Sequence, residues 1–346
     1  MLLREYLAAL KYGAKILPSE ILGSPFGASE GNVYWAKKST DSNYTSFYAD
    51  HYVKYTDGTA SVYNTIQGAV DAATAARGDI VIVCSGKWCE DVVVADKEGL
   101  RILGVGYGSG GTEDGAPRMR PSDATTKYPF DTKIGSSPQA AGFHIFSRNV
   151  EISGFYFDGG GNYCGVYAGG GLNGGVTGYT TENCSGLWVH NNFFRGGSEG
   201  SVGLYMNGVR FGAIIEGNIF ERWTGAAIEM DAGNASNEAC IIRNNQFIAD
   251  NGGYGVNIYG EANSSLGCQI DHNVFGDRVS HAFTMAIMNN TGSTGCTVIA
   301  GNNFACAHCL DLTTADWVSG NSFGFAGSAT EGSNLFITEA ASGAEA

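Results

Sequence analysis

Two carboxylates one residue apart are the first place to look for chemistry. In the run Ala226-Ala-Ile-Glu-Met-Asp231, Glu229 and Asp231 alternate with Ile228 and Met230. In an extended strand, alternate side chains leave one face about 6.6 to 7 Å apart, a separation compatible with the acid and base of glycoside cleavage. Two similar apolar runs, Gly203-Leu-Tyr-Met206 and Tyr254-Gly-Val-Asn-Ile-Tyr259, put Tyr205, Asn257 and Tyr259 at outward positions of the same parity. Tyr rings can stack on sugars, while amides and carboxylates accept hydrogen bonds from hydroxyls. The chain offers no second carboxylate cluster and no base placed by a motif. Tyr205, Glu229, Asp231, Asn257 and Tyr259 are therefore expected to form a glycan-binding face, and no residue is assigned a catalytic role.

The cysteines point elsewhere. Cys306-Ala-His-Cys309 is a single Cys-x-x-Cys with one His, whereas zinc takes four ligands, and no matching pair lies nearby. No metal and no cofactor is expected. Cys240, Cys268 and Cys296 recur at steps of 28 and 28 and read as one interior column of small hydrophobes.

Something must align these runs, and a repeat does so. Seven segments share the form β-branched, variable, small or polar, usually Asn, variable, Phe; they begin at Ile152, Val189, Ile215, Ile242, Ile270, Ile299 and Val318. Their Phe residues are separated by 37, 26, 27, 28, 29 and 19. The second position is Ser153, His190, Glu216, Arg243, Asp271, Ala300 or Ser319, and indifference to charge marks a solvent-facing site. Two or three short strands per repeat leave no room for a crossover helix, so the repeats must stack as coils of a parallel β-helix. Coils stack about 4.8 Å apart. Phe194, Phe220, Phe247, Phe275, Phe304 and Phe323 should then form an interior column, beside a ladder of Asn192, Asn218, Asn245, Asn273, Asn302 and Asn321. The fold class is all-β, with nine or ten coils in a rod about 45 Å long.

Composition agrees and excludes other classes. The 346 residues include 52 Gly, yet only 16% are charged and the net charge is −14. All 6 Pro precede residue 139, and so do all the Lys, which argues against binding nucleic acid through its phosphates. Apolar stretches such as Ile80 to Cys84 are far short of the roughly 20 residues that span a bilayer; no membrane insertion is expected. Residues 1–60 read as an N-terminal arm or anchor, with Leu3, Leu7, Leu10, Ala14 and Leu17 at helical spacing. Residues 61–338 read as the β-helix, 106–140 as a long inserted loop and 339–346 as a tail. A short helix from Asn64 or Thr65 toward Gly78 carries Ile66, Ala69, Val70 and Ala73 on one face and should cap the open end of the rod.

Thr65-Ile-Gln67, Ala69-Val-Asp-Ala72, Gly78-Asp79, the Val-rich strand, Ser85-Gly86 and Glu90 resemble the opening of right-handed parallel β-helix proteins of the pectin-lyase-like superfamily. Gly31 to Tyr44, continuing through Tyr55-Thr-Asp-Gly58, resembles the lead-in of β-helix virion proteins of tailed bacteriophages. The resemblance implies a phage structural protein exposed on the particle, a capsid decoration or a tail spike or fibre component, assembled in the host cytoplasm. It also implies a homotrimer, contact with other virion proteins through residues 1–60, and contact with host polysaccharide. The alternative is a polysaccharide lyase or glycoside hydrolase acting on a bacterial surface glycan; a noncatalytic adhesin would use the same face. The superfamily's polygalacturonase blocks are missing. Ile270-Asp271-His272 matches a pectate lyase motif only superficially, because neighbouring repeats carry Glu216-Gly217 and Arg243-Asn244 there.

Overall fold

The computed structural model describes residues 31–105, 117–120, 140–158, 163–169, 184–196, 202–207, 209, 212–231, 237–249, 252–259, 265–277, 282–289, 297–312 and 317–324. The expected helix within 1–30, most of the 106–140 loop, Cys296 and the 339–346 tail lie outside them. Among the described residues, three long sheets carry eleven, nine and eight strands. A coil gives one strand to each: Trp188–His190, Phe193–Arg195 and Val202–Asn207 form one coil, and Ile214–Glu216, Ile219–Glu221 and Ala226–Asp231 the next. Neighbouring strands are parallel and in register. The chain is a parallel β-helix, as the repeat requires, with nine successive coil strands in the largest sheet from Ile80–Val83 to Trp317–Ser319.

The interior follows the repeat residue by residue. Rings of Phe157, Phe194, Phe220, Phe247, Phe275, Phe304 and Phe323 stack with centroids 4.5 to 5.2 Å apart and planes within 5 to 11°. Toward the N-terminus the column continues through Met119 and Trp88. Beside it runs the Asn ladder. The Asn245 Oδ1 accepts from the Asn218 backbone N–H and the Asn218 Nδ2, each at 3.0 Å. Its own Nδ2 donates to the Ile215 carbonyl at 2.9 Å and to Asn273 Oδ1 at 3.0 Å. Each Asn follows a residue with positive φ, such as Gly217 at 64°, Asn244 at 55° or His272 at 54°, so His272 is the corner residue of a turn.

The cysteine column needs a correction. Cys240 and Cys268 adjoin on neighbouring coils, but Cys268 pairs with Thr297. That coil is one residue longer, and a constant step of 28 slips off the buried position.

At the N-terminal end, β1 (Val33–Ala36) lies between β2 (Val62–Tyr63) and β3 (Ile80–Val83) in the eleven-stranded sheet. Strand residues on both sides of the expected boundary at residue 60 thus belong to the same sheet as the coil strands. Helix α1 (Tyr44–His51) covers this end, packing Tyr44, Phe47 and Tyr48 near Trp35, Ile80 and Ile82. Helix α2 (Ile66–Ala72) is the expected cap, with Ile66, Ala69 and Val70 buried. It stops at Ala72, short of Gly78, because the Asp79 carboxylate takes the Thr74 N–H at 2.7 Å and the chain turns extended at Ala73.

The family-like residues at this end are fasteners. Thr65 accepts from Gly68 N–H at 3.0 Å, and the Glu90 carboxylate accepts the Ile66 and Gln67 N–H groups at 3.0 and 3.2 Å. β4 (Gly86–Cys89) is followed by β5 (Val92–Ala95), which is the edge of the eight-stranded sheet. The Gln67 amide takes the Val93 N–H at 2.7 Å and donates to the Val93 carbonyl at 3.1 Å. One side chain thus occupies the place of a missing strand.

Candidate functional site

The eight-stranded sheet positions every candidate. Val202–Asn207, Ala226–Asp231 and Tyr254–Tyr259 lie side by side, with Tyr205, Glu229 and Asn257 in one row and Asn207, Asp231 and Tyr259 in the next. Leu204, Ile228 and Val256 point into the rod. The residue before each must also be small. A Cβ on Gly203 would stand 3.0 Å from the Phe220 ring, and one on Gly255 2.8 Å from Phe275. A recurring small-aliphatic-variable triplet results: Gly165-Val-Tyr167, Gly203-Leu-Tyr205, Ala227-Ile-Glu229 and Gly255-Val-Asn257. Its third residue faces away from the core. A variant of the triplet with an aromatic centre, Gly142-Phe-His144, puts His144 in the row beside Tyr167, and both residues are legible in the repeat.

This outer face was expected to be wet, and it is closed. Tyr205 is 0% exposed, Glu229 7% and Asp231 8%. Tyr205 stacks on Tyr167 with centroids 5.4 Å apart and planes 9° apart, and its hydroxyl donates to Asp231 Oδ2 at 2.5 Å. Tyr205 therefore offers no open ring to a sugar; it orients Asp231. Among the described residues no group donates a hydrogen bond to the Glu229 carboxyl, and Asn257 Oδ1 is buried without a donor. These two acceptors sit in register on adjacent coils. Burial, reinforced by the Asp231 charge, pushes the Glu229 carboxyl up to about 7. Burial pushes His144, flanked by Phe146 and Tyr167, down to about 4. The Tyr259 backbone completes its strand.

Chemically, the patch holds a carboxyl that can give or take a proton near neutrality, a second carboxylate held by a phenol, and an amide oxygen awaiting a donor. Among the described residues no group of three His, Cys, Asp or Glu is arranged to hold a metal.

The other candidates fall apart in space. Asp271 takes a hydrogen bond from Gln269 at 2.9 Å, and the His272 Nδ1 lies 3.2 Å from it; both belong to the eleven-stranded sheet and its turn, away from Glu229. On that same sheet the Glu151 carboxylate meets the Arg101 Nε at 2.5 Å and the His190 Nε2 at 3.0 Å. Burial alone would raise Glu151, but the His190 and Arg101 hydrogen bonds outweigh it and hold the carboxyl below its ordinary value. That triad carries no repeat signature, since it joins residues from three coils that no motif links.

No family model matches the sequence, and no curated protein does. Among solved structures, similar folds include pectin methylesterase PemA from Erwinia chrysanthemi, at 11% identity over 91% of this chain and 96% of that one, with a TM-score of 0.46. A pectin methylesterase from Aspergillus niger is 14% identical over 89% and 90%, with a TM-score of 0.41. The Streptococcus pneumoniae surface protein and adhesin PfbA is 13% identical over 75% and 93%, with a TM-score of 0.31. These neighbours are right-handed parallel β-helix proteins of the pectin-lyase-like fold. Likeness at this level concerns architecture alone, and it is the chain's own three parallel sheets that make it an all-β parallel β-helix.

Proposed function

We propose that this chain is a noncatalytic structural β-helix exposed on a tailed-phage particle, where it contacts host surface glycan. The observation that carries the glycan reading is the register of the Glu229 carboxyl with Asn257, whose Oδ1 is a buried acceptor with no donor among the described residues. A buried acceptor without a partner costs about 1 to 3 kcal/mol, and a polyhydroxylated chain supplies donors at the required density. Asp231 and Tyr205 orient the patch rather than cover the sugar. The virion role is supported by the phage-like lead-in from Gly31 to Gly58 and by a rod tied together from its first strand. Homotrimeric assembly, and contact with other virion proteins through residues 1–60, belong to the same proposal.

Retention of the purified chain on immobilised host polysaccharide tests this reading. Wild type should be retained and Asn257→Leu weakened about tenfold, the loss of one well-placed hydrogen bond to a charged or amide group. Absence of retention on every host glycan, together with absence of the chain from purified particles, would sink it.

A lyase or hydrolase reading has one observation in its favour. The Glu229 carboxyl, pushed up to about 7 by burial, stands one alternate position from an Asp231 that accepts from the Tyr205 hydroxyl, and a carboxyl protonated near neutrality is what a general acid needs. Oligosaccharide release that vanishes in Glu229→Gln would establish it and displace the noncatalytic proposal.

A further inference from the structure

At the edge of the same sheet, the turn after Asn303–Ala305 brings Cys306 and Cys309 together with their sulfurs 3.7 Å apart. Both are nearly buried, at 4 and 6% exposure, while His308 between them is exposed. The turn is tethered to the preceding coil. Asp277 Oδ2 accepts the Ala307 N–H at 2.7 Å while its Oδ1 accepts the Phe283 N–H at 3.0 Å. The carbonyls of His308 and Cys309 accept from Ala286 and Ile287, each at 2.9 Å. Immediately after Cys309 comes Leu310–Asp311, the edge strand of the eight-stranded sheet. Among the described residues no group of three His, Cys, Asp or Glu is arranged around the pair to hold a metal.

We propose that Cys306 and Cys309 are a reversible oxidation site, closed to an intrachain disulfide by exchange with a low-molecular-weight disulfide, and that the bond staples the C-terminal edge of the rod. The sulfurs need only close from contact to the roughly 2.05 Å of a bond. Cys306 donates its S–H to Cys309, which favours the thiolate at Cys309 and lowers its pKa below the ordinary thiol value. The Cys309 thiolate attacks one sulfur of the small disulfide, forming a mixed disulfide and expelling a thiolate. Cys306 then loses its proton and attacks the Cys309 sulfur, expelling the second thiolate. Two protein thiols are oxidised, one small disulfide is reduced to two thiols, and the two protons end on those leaving thiols. A rod made in a reducing cytoplasm would acquire the staple on reaching an oxidising exterior.

The full-length chain is incubated with oxidised glutathione, unfolded, alkylated with iodoacetamide and cut with chymotrypsin after Phe304 and Leu310. Exposed Cys89 reports that the reagent is active by becoming glutathionylated. The expected product is the peptide Ala305 to Leu310, unalkylated and lighter by two hydrogen atoms, restored by dithiothreitol. Amide exchange at Leu310 and Asp311 should slow about tenfold, and Cys306→Ser should abolish both effects. Alkylation of both thiols while Cys89 reacts, a stable glutathione adduct on Cys309, or a bond from either residue to another cysteine would each overturn the proposal.

Discussion

The Asn ladder and the outer face of the eight-stranded sheet both bury amide groups, and they treat them in opposite ways. Asn245 is fully enclosed, and each half of its amide has two partners at 2.9 to 3.0 Å. On the outer face Glu229 is 7% exposed and Asn257 is half-buried, and the Asn257 Oδ1 is enclosed without a donor among the described residues. Along the ladder one residue type recurs, so each amide answers the next. Along the face the type changes after two coils, from Tyr167 and Tyr205 to Glu229 and then Asn257, and satisfaction by self-repetition fails. Identical neighbours make a structural polar column; unlike neighbours leave valences for something else.

The ladder side of this contrast should be the more fragile. Asn245→Leu would strip the Asn218 N–H of its acceptor and the Ile215 carbonyl of a donor, while the Asn218 amide keeps the Val189 carbonyl, and should cost about 2 to 6 kcal/mol at roughly 1 to 3 per buried group. Denaturant unfolding checks it; a loss below about 1 kcal/mol would mean that the ladder amides are replaceable by packing. Phe247→Ala, in the adjoining aromatic column, should cost about 3 to 5 kcal/mol and leave a cavity between the Phe220 and Phe275 rings that flank it.

The face side should respond with the opposite sign. Glu229 titrates near 7 in the folded chain against an ordinary 4.5, so between those values the native state holds a proton that the unfolded chain has released. Stability from this group therefore falls as pH rises from about 4.5 to about 7, with the full penalty above that. Glu229→Gln should stabilise the protein by about 2 to 3 kcal/mol at pH 8 and by nothing below about pH 4. His144 works in the other direction: at about 4 in the fold against 6.5, its contribution is present above about pH 6.5 and lost as pH falls toward 4. Thermal midpoints of Glu229→Gln across pH 4 to 8 should thus rise with pH through the His144 window; a pH-independent difference from wild type would show that Glu229 is not held protonated.

The smallest effect belongs to the end of the rod, where a side chain imitates a strand. Gln67→Ala removes the paired hydrogen bonds to Val93, a half-buried edge that water can reach, and should cost about 1 kcal/mol. Faster amide exchange confined to Val92–Ala95 would locate the loss.

How much could be read in advance differs between these regions for the same reason. Phe220, Phe247 and Phe275, with Asn218, Asn245 and Asn273, announce themselves because each stacks on its own kind, and spacing alone brings them into register. Cys296 shows the limit: a coil longer by one residue put Thr297 in the buried position. The candidate face was legible as a row, since parity along a strand is local. Its wetness was not, because the enclosure of Tyr205, Glu229 and Asp231 depends on contacts across neighbouring coils, as where Tyr205 stacks on Tyr167 and bonds Asp231. Nor was the place of Val33–Ala36 in the largest sheet, since its pairing with Ile80–Val83 joins residues more than forty positions apart.

By itself, then, the order of residues determined the coil, the column, the ladder and the membership of the outward row, all consequences of a short period copied along one axis. Only the tertiary structure decided which outward groups lose water, which acceptors go without donors, and which thiols meet across a turn, because burial and contact are properties of surfaces brought together from distant segments, and no period in the chain encodes them.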